Sequence, residues 1–256
     1  MSSPLAGKKL LVTREKNQAK ELTALLEKKE AHPIVTPLLK FASIPLEDVA
    51  NTLEEISKYD WIFFTSANTV HFFQELTKNK TIDLPMKIAA VGEKTAKALL
   101  QYGYKTDFIP SLYNGETLVN EFYTKYGTES VAYLCGEKAR PEIPSLFEEY
   151  GIQFKKIVLY RTIMNKDIRE DLKKIIQEDK LDGLLFTSPS TVEAFCEMIP
   201  DHLLPTIKAN LLAVAIGTTT ASSLEHYNFQ QVIYPEKFTI DEMVREVESY
   251  FLMKNR

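Results

Sequence analysis

The stretch Asp60-Trp-Ile-Phe-Phe-Thr-Ser-Ala-Asn-Thr-Val70 recurs later in the chain as Asp182-Gly-Leu-Leu-Phe-Thr-Ser-Pro-Ser-Thr-Val192. Each copy is a short apolar run, a Thr-Ser pair and the start of an amphipathic segment, which reads as a buried strand turning into a helix. A second pair of blocks follows in the same order, Ala90-Val-Gly-Glu-Lys-Thr-Ala96 and Ala215-Ile-Gly-Thr-Thr-Thr-Ala221. Pro110 and Pro235 keep the spacing of that second pair. Two matched blocks in one order mark a duplicated unit.

Working outward, apolar runs alternate with amphipathic stretches along the whole chain, the pattern of parallel sheets flanked by helices. The expected strands are 9–13, 33–37, 61–65, 87–92, 105–110, 130–135, 183–188, 211–217 and 230–235. Helices are expected over 15–29, 46–57, 67–78, 93–102, 116–126, 168–178, 189–199, 218–227 and 239–253. Several strands are apolar without alternation, as strands covered on both faces require.

The two copies differ at one end. The first continues through a strand, a helix and a strand over 130–160, and the second has no such continuation before residue 256. Residues 8–37 have that missing shape, so a circular permutation accounts for the pattern. The expected organisation is one discontinuous domain, 1–37 plus 165–256, and a second over 45–156. Residues 38–44 and 157–164, rich in β-formers, would make a two-stranded tether between them. The expected fold class is therefore α/β, with two similar three-layer, doubly wound (flavodoxin-like) parallel-sheet domains and a ligand cleft between them.

Composition narrows the function classes. With 45% hydrophobic and 26% charged residues the chain is globular. A formal net charge of −4 gives no basic face for nucleic acid. No apolar run reaches the ~20 residues that cross a bilayer, and MSSPLAGKKLLVTR lacks a signal-peptide core, so a cytoplasmic protein is expected. Cys135 and Cys196 sit in apolar runs and read as reduced core thiols. His32, His71, His202 and His226 are scattered without metal-ligand spacing, and no dinucleotide or phosphate-loop motif occurs, so no metal or cofactor is expected.

Parallel α/β sheets bind ligands beyond the carboxyl ends of their strands. Those turns here carry Thr13-Arg14, Thr65-Ser66, Gly92-Glu93, Cys135-Gly136, Thr187-Ser188 and Gly217-Thr218. Any one Ser or Thr is explained by helix capping. Recurrence of Thr-Ser and Gly-X-X-Thr in both copies points further, to opposed helix N-termini that suit a ligand with several carboxylates or phosphates.

The Thr-Ser-X-X-Thr blocks, the VGxxTA and IGxTTA blocks, the early VTR, the VLYRT near the second crossing and the late P-x-x-x-T together resemble the uroporphyrinogen-III synthase family. The similarity runs over nearly the whole chain as an ordered set of short motifs. It implies a cofactor-free lyase of tetrapyrrole (haem) biosynthesis. Such an enzyme closes the linear hydroxymethylbilane to uroporphyrinogen III, inverting the last pyrrole ring and losing water. It further implies that Tyr160 assists departure of the hydroxyl, a phenol being protonated at neutral pH. Ser66, Ser188, Gly92, Gly217, Thr95, Thr219 and Thr220 fall on the family's strand-end positions, and Arg14 on the basic residue of the early motif. The partner implied is a tetrapyrrole polycarboxylate, with no nucleic acid or membrane, taken up by a monomer. Glu93 breaks the pattern by placing a negative charge beside a proposed carboxylate site. A two-domain sensor closing on a small anion is the rival reading, and an enzyme argued from fold alone a third.

Overall fold

The computed structural model describes residues 3–45, 51, 53–78, 84–178 and 180–254. By internal contacts the chain divides into two compact units, Met1–Lys40 with Ile163–Arg256, and Phe41–Thr162. The strands in chain order are β1 (Lys9–Val12), β2 (His32–Val35), β3 (Leu39–Ser43), β4 (Trp61–Phe64) and β5 (Lys87–Ala90). They continue with β6 (Val131–Gly136), β7 (Phe154–Met164), β8 (Gly183–Phe186), β9 (Leu212–Ala215) and β10 (Val232–Ile233).

One sheet has the order β10-β9-β8-β1-β2 and the other β3-β7-β6-β4-β5. The pairs β1–β2, β1–β8, β8–β9 and β9–β10 are parallel, as are β4–β5, β4–β6 and β6–β7. Set side by side, β8 and β9 occupy the places of β4 and β5, while β1 and β2, which come first in the chain, occupy those of β6 and β7. The four strands so matched thus have one spatial order and a permuted chain order, with β10 and β3 added at opposite ends.

Alternation along each strand explains why the runs are apolar throughout. In β4, Ile62 and Phe64 enter one core while Trp61 and Phe63 enter the other, and all four are fully buried. The first core is closed by the helices Ala67–Leu76 (Val70, Phe73) and Glu93–Gln101 (Ala98, Leu99). The second is closed by Gly115–Tyr126 (Leu118, Phe122) and Glu142–Glu149 (Ile143, Phe147). In the other unit, Leu184 and Phe186 of β8 face the helices Pro189–Met198 and Thr218–His226. Leu185 faces Lys16–Lys28 and Ile240–Lys254. Each sheet is a middle layer between two helical layers, the three-layer α/β class expected.

The chain passes between the units twice, within β3 and β7. The Ile44 amide donates to the Leu159 carbonyl (3.0 Å) and the Asn165 amide to the Leu38 carbonyl (2.8 Å), so the two passages run antiparallel. The expected strand over 105–110 is reduced to a single bridge, Phe108 to Ala89. The Asp107 carboxylate accepts from the Ile88 amide (2.9 Å), taking a donor that a continuing ladder would use, and Pro110 ends the segment. Residues 46–50 and 52 of the helix expected over 46–57 lie outside the described residues, and Ile56–Lys58 forms a 3₁₀ turn. The short helix Leu204–Asn210 was not foreseen, because Pro205 hides it; proline is accepted in a first turn. Among the described residues no helix is long and apolar enough to cross a membrane.

Candidate active site

In the unit Phe41–Thr162 the carboxyl ends of β4, β6 and β7 open onto a cavity of about 470 Å³. Phe41, Thr65, Ser66, Tyr133, Arg140 and Tyr160 are among the residues that line it. Tyr160 is half-buried, stacked on Phe72 (centroids 4.8 Å, 20° between planes) and edge-on to Phe41 (5.3 Å, 83°). Its ring crosses the adjoining strand. Cys135 pairs with Val158 but Gly136 with Tyr160, so β7 carries one extra residue at this point, a bulge that re-aims the side chain. A Cβ on Gly136 would lie 2.6 Å from Tyr160 Cζ and 2.9 Å from its Oη. The Glu137 amide donates to the Tyr160 carbonyl (2.9 Å) and fixes the backbone on the far side. Glycine at 136 is therefore a requirement of where the phenol sits.

Ser66 opens the helix Ala67–Leu76; its Oγ accepts from the Thr69 amide (3.0 Å) and lies 2.8 Å from Thr69 Oγ1. The hydroxyl is a helix cap and a cavity wall at once. Gly92 opens the helix Glu93–Gln101 beside the lining residue Val91, but is itself covered by Tyr113, whose Cγ would lie 2.8 Å from an added Cβ. Thr95, 3% exposed, points into the buried side of that helix. Glu93 is on the outer surface, 3.6 Å from Lys97 Nζ, and outside the cavity lining. The Glu93 carboxylate beside it raises the Tyr113 phenol above its ordinary value. Of the four residues expected in this unit, the cavity thus joins Ser66 and Tyr160.

The other five lie in the second unit, at the carboxyl ends of β1, β8 and β9. Ser188 opens the helix Pro189–Met198, yet its Oγ caps no amide; it lies 3.1 Å from Ser190 Oγ and 3.5 Å from Thr191 Oγ1. Gly217 opens the helix Thr218–His226 under the ring of Phe238, whose Cγ would be 2.7 Å from an added Cβ. Thr219 is exposed and Thr220 buried. Arg14 is half-buried and its Nε donates to Gln18 Oε1 (3.3 Å), while Glu15 caps its own helix by accepting from the Asn17 and Gln18 amides.

Sequence reasoning passed over three lining groups. Lys138 and Arg140, in the loop that leaves β6, bring two cations to the cavity beside Glu137 and Glu142. Among the described residues neither cation is held in an ion pair. Asn114 sits at the opening of the helix Gly115–Tyr126 and caps it through the Thr117 amide (2.8 Å). Tyr133 lines the cavity although it reads as a core position of its strand. The position of the Gly-Glu-Lys-Ala-Arg loop, directly after a strand, was the signal available for the cations.

Hydroxyls from three strand or helix ends, two cations and an aromatic wall can hold a carboxylate-bearing, partly apolar ligand and give it a proton. Cys135 and Cys196 are free and buried, and burial raises both thiols, Cys196 to about 11, so neither is poised as a nucleophile. Among the described residues no cluster of His, Cys, Asp or Glu could hold a metal ion.

A family model described as uroporphyrinogen-III synthase HemD matches residues 20–245. The porphyrin biosynthesis protein HemD of Ruminiclostridium josui is 33% identical over 95% of this chain, and the chain spans about half (49%) of that relative's length. The uroporphyrinogen-III synthase of Synechococcus elongatus is 26% identical over 96% of this chain and 97% of its own. In structure, uroporphyrinogen-III synthetase from Helicobacter pylori aligns with a TM-score of 0.58 at 21% identity, covering 95% of this chain and 99% of that one. A mutant uroporphyrinogen III synthase from Thermus thermophilus gives 0.52 at 18%, covering 97% and 100%. At those identities the structures speak for the fold, and the family match and the relatives for the family. The chain belongs to the uroporphyrinogen-III synthase family.

Proposed function

We propose that this member of the uroporphyrinogen-III synthase family closes linear hydroxymethylbilane to uroporphyrinogen III as a cofactor-free lyase. The observation that carries the reading is the Tyr160 phenol, set over Gly136 between Phe41 and Phe72 at the mouth of a cavity bearing hydroxyls and cations.

The Tyr160 hydroxyl donates to the terminal hydroxyl of the substrate, which leaves as water once it has gained a proton. The cation left behind is delocalised over a pyrrole. It is attacked by the substituted carbon of the last ring, and the spiro product fragments and recloses with that ring turned over. Lys138, Arg140 and Ser66 bind substrate carboxylates around the phenol, the guanidinium in bidentate fashion. Arg14, Gly92, Thr95, Ser188, Gly217, Thr219 and Thr220 remain proposed contributors to carboxylate binding through their helix N-termini. Because the cavity is lined within one unit of one chain, a second copy is not required, and we take the protein to act as a monomer. Two buried free thiols suit a reducing compartment, the cytoplasm.

The test is to supply hydroxymethylbilane and separate the uroporphyrinogen isomers. Type III is expected; type I alone, the uncatalysed product, overturns the reading in favour of a protein that only binds anions. Tyr160→Phe should lower kcat by about 10²-fold, the usual range for a lost proton donor, with KM changed less than about threefold. Unchanged turnover removes Tyr160 from the mechanism.

A further inference from the structure

The Tyr160 phenol is held by a ring that stands outside the cavity. Phe72 lies in the helix Ala67–Leu76, whose buried row Val70, Phe73 and Leu76 closes the core on that side of the sheet. Phe72 falls beside that row and is half-buried, so the core itself does not call for an aromatic side chain there. Among the described residues the ring it meets is that of Tyr160, stacked at 4.8 Å between centroids and 20° between planes.

A tyrosine ring turns about two side-chain bonds, and a half-buried one keeps a single setting only where walls confine it. Gly136 clears the space the phenol occupies and adds no side chain of its own. Phe41 meets the phenol edge-on (5.3 Å, 83°), but it also lines the cavity, where a ligand would touch it. Phe72 lies outside that lining. It covers the phenol from behind, so it can act on a substrate only through Tyr160.

The helix that carries Phe72 is pinned on both sides of it. Ser66 caps the first turn through the Thr69 amide (3.0 Å). One turn past Phe72, the Glu75 carboxylate accepts from the Ser43 hydroxyl (2.9 Å). Ser43 and Phe41 are two apart on β3 and share one face of it, so strand and helix flank the phenol from fixed places.

We propose that Phe72 is a positioning residue for Tyr160, whose stacked ring keeps the phenol hydroxyl aimed at the leaving hydroxyl of the substrate. The proposal rests on the functional reading above. Proton transfer needs its donor within hydrogen-bond reach, and a shift of about 1 Å can cost up to ~10²-fold in rate. Removing the Phe72 ring therefore slows the chemical step and leaves substrate binding where it was.

The experiment is steady-state kinetics of the full chain with hydroxymethylbilane, with thermal unfolding followed alongside. The proteins are the wild type, Phe72→Leu, Phe72→Tyr, Tyr160→Phe and the double variant Phe72→Leu/Tyr160→Phe. Phe72→Leu should lower kcat by about tenfold, with KM within about twofold of wild type. Phe72→Tyr keeps the stacked ring and should keep kcat. The double variant should be no slower than Tyr160→Phe, since a misplaced phenol cannot matter once the hydroxyl is gone. Wild-type kcat in Phe72→Leu overturns the proposal, as does a Phe72→Tyr variant as slow as Phe72→Leu. A merely structural role would lower the unfolding temperature and slow the Tyr160→Phe background as much as the wild type, and that result overturns it too. A wild type that makes no uroporphyrinogen III overturns the functional reading. An active wild type, slowed by Tyr160→Phe but not by Phe72→Leu, overturns this proposal alone.

Discussion

The two units are most alike at the amino edges of their sheets and least alike at the carboxyl edges. Asp60 and Asp182, the first residues of the repeated block, have one task. Asp60 accepts from the Ser130 amide (2.8 Å) and hydroxyl (2.7 Å) at the foot of β6. Asp182 accepts from the Lys9 amide (2.9 Å) at the foot of β1 and pairs with Lys8 Nζ (2.9 Å). Even at the carboxyl edges the glycine caps match, with Gly92 under Tyr113 and Gly217 under Phe238. Elsewhere along that edge the copies part. One has Gly136 with Tyr160 crossing it. The other carries two buried threonines at its carboxyl edge: Thr13, whose hydroxyl donates to the Leu185 carbonyl (2.8 Å), and Thr36, whose buried hydroxyl has no partner among the described residues. Closing the strands at their feet is a need of any such sheet, so duplication preserved it. What stands at the carboxyl edge is not bound by that need, and only one copy sets a phenol over a glycine there.

Adding a methyl group at position 136 should break this comparison most forcefully. Gly136→Ala puts Cβ within 2.9 Å of three Tyr160 ring and hydroxyl atoms, and a ring already stacked on Phe72 and flanked by Phe41 has nowhere easy to go. Turnover should fall at least tenfold, approaching the Tyr160→Phe value, and urea unfolding should show a loss of about 1–3 kcal/mol from overpacking. Gly92→Ala and Gly217→Ala also meet rings, but Tyr113 and Phe238 are exposed (59% and 56%) and can swing outward. Their cost should stay near ~1 kcal/mol or less. Equal losses at all three glycines would mean that Tyr160 confines position 136 no more than exposed rings confine the two helix caps, and the contrast at the carboxyl edge would dissolve.

The strand cores were readable because each is covered on two faces and therefore apolar without interruption, as in Trp61–Phe64 and Leu212–Ala215. The Thr-Ser ends were readable through their recurrence. Gly136 was not, since its meaning comes from a one-residue register slip against β7 that no local pattern announces. Tyr133 read as core because its run is apolar; only the tertiary arrangement shows that it also lines the cavity. Lys138 and Arg140 resembled ordinary surface charge. Thr95 and Thr220 read as ligand positions by their spacing from the glycine, yet that spacing turns each onto the buried side of its helix.

The two strand-end serines offer a finer probe. Ser66 caps its helix through the Thr69 amide, whereas Ser188 meets only hydroxyls. Ser66→Ala should cost about 1 kcal/mol in urea unfolding, the ordinary value of a lost cap, and Ser188→Ala less than half of that. The reverse order would mean that the helix of the second unit depends on a cap the geometry does not contain. If Ser188→Ala instead raised KM while sparing stability, the free hydroxyl would be marked as a substrate contact.

The smallest effect tests the likeness of the amino edges. The Ser130 hydroxyl, then its amide, hold the Asp60 carboxyl below its ordinary value, with Lys87 adding a weaker pull against a small desolvation cost. A carboxylate whose pKa is lowered by folding stabilises the fold above the unfolded value, near about 4. That stabilisation is lost as the pH falls through the lower folded value, where proton uptake cancels it. Asp60→Asn removes the charge and keeps the shape, so the stability gap between wild type and variant should be widest at neutral pH and close below pH ~4. The carboxylate is exposed, which makes the gap small, but both Ser130 donors are uncharged, so moderate salt should leave it largely intact. A gap that vanished in salt at pH 7 would assign the effect to Lys87 and not to the strand-foot lock. Asp60 would then cease to be the counterpart of Asp182, whose carboxylate takes the Lys9 amide directly.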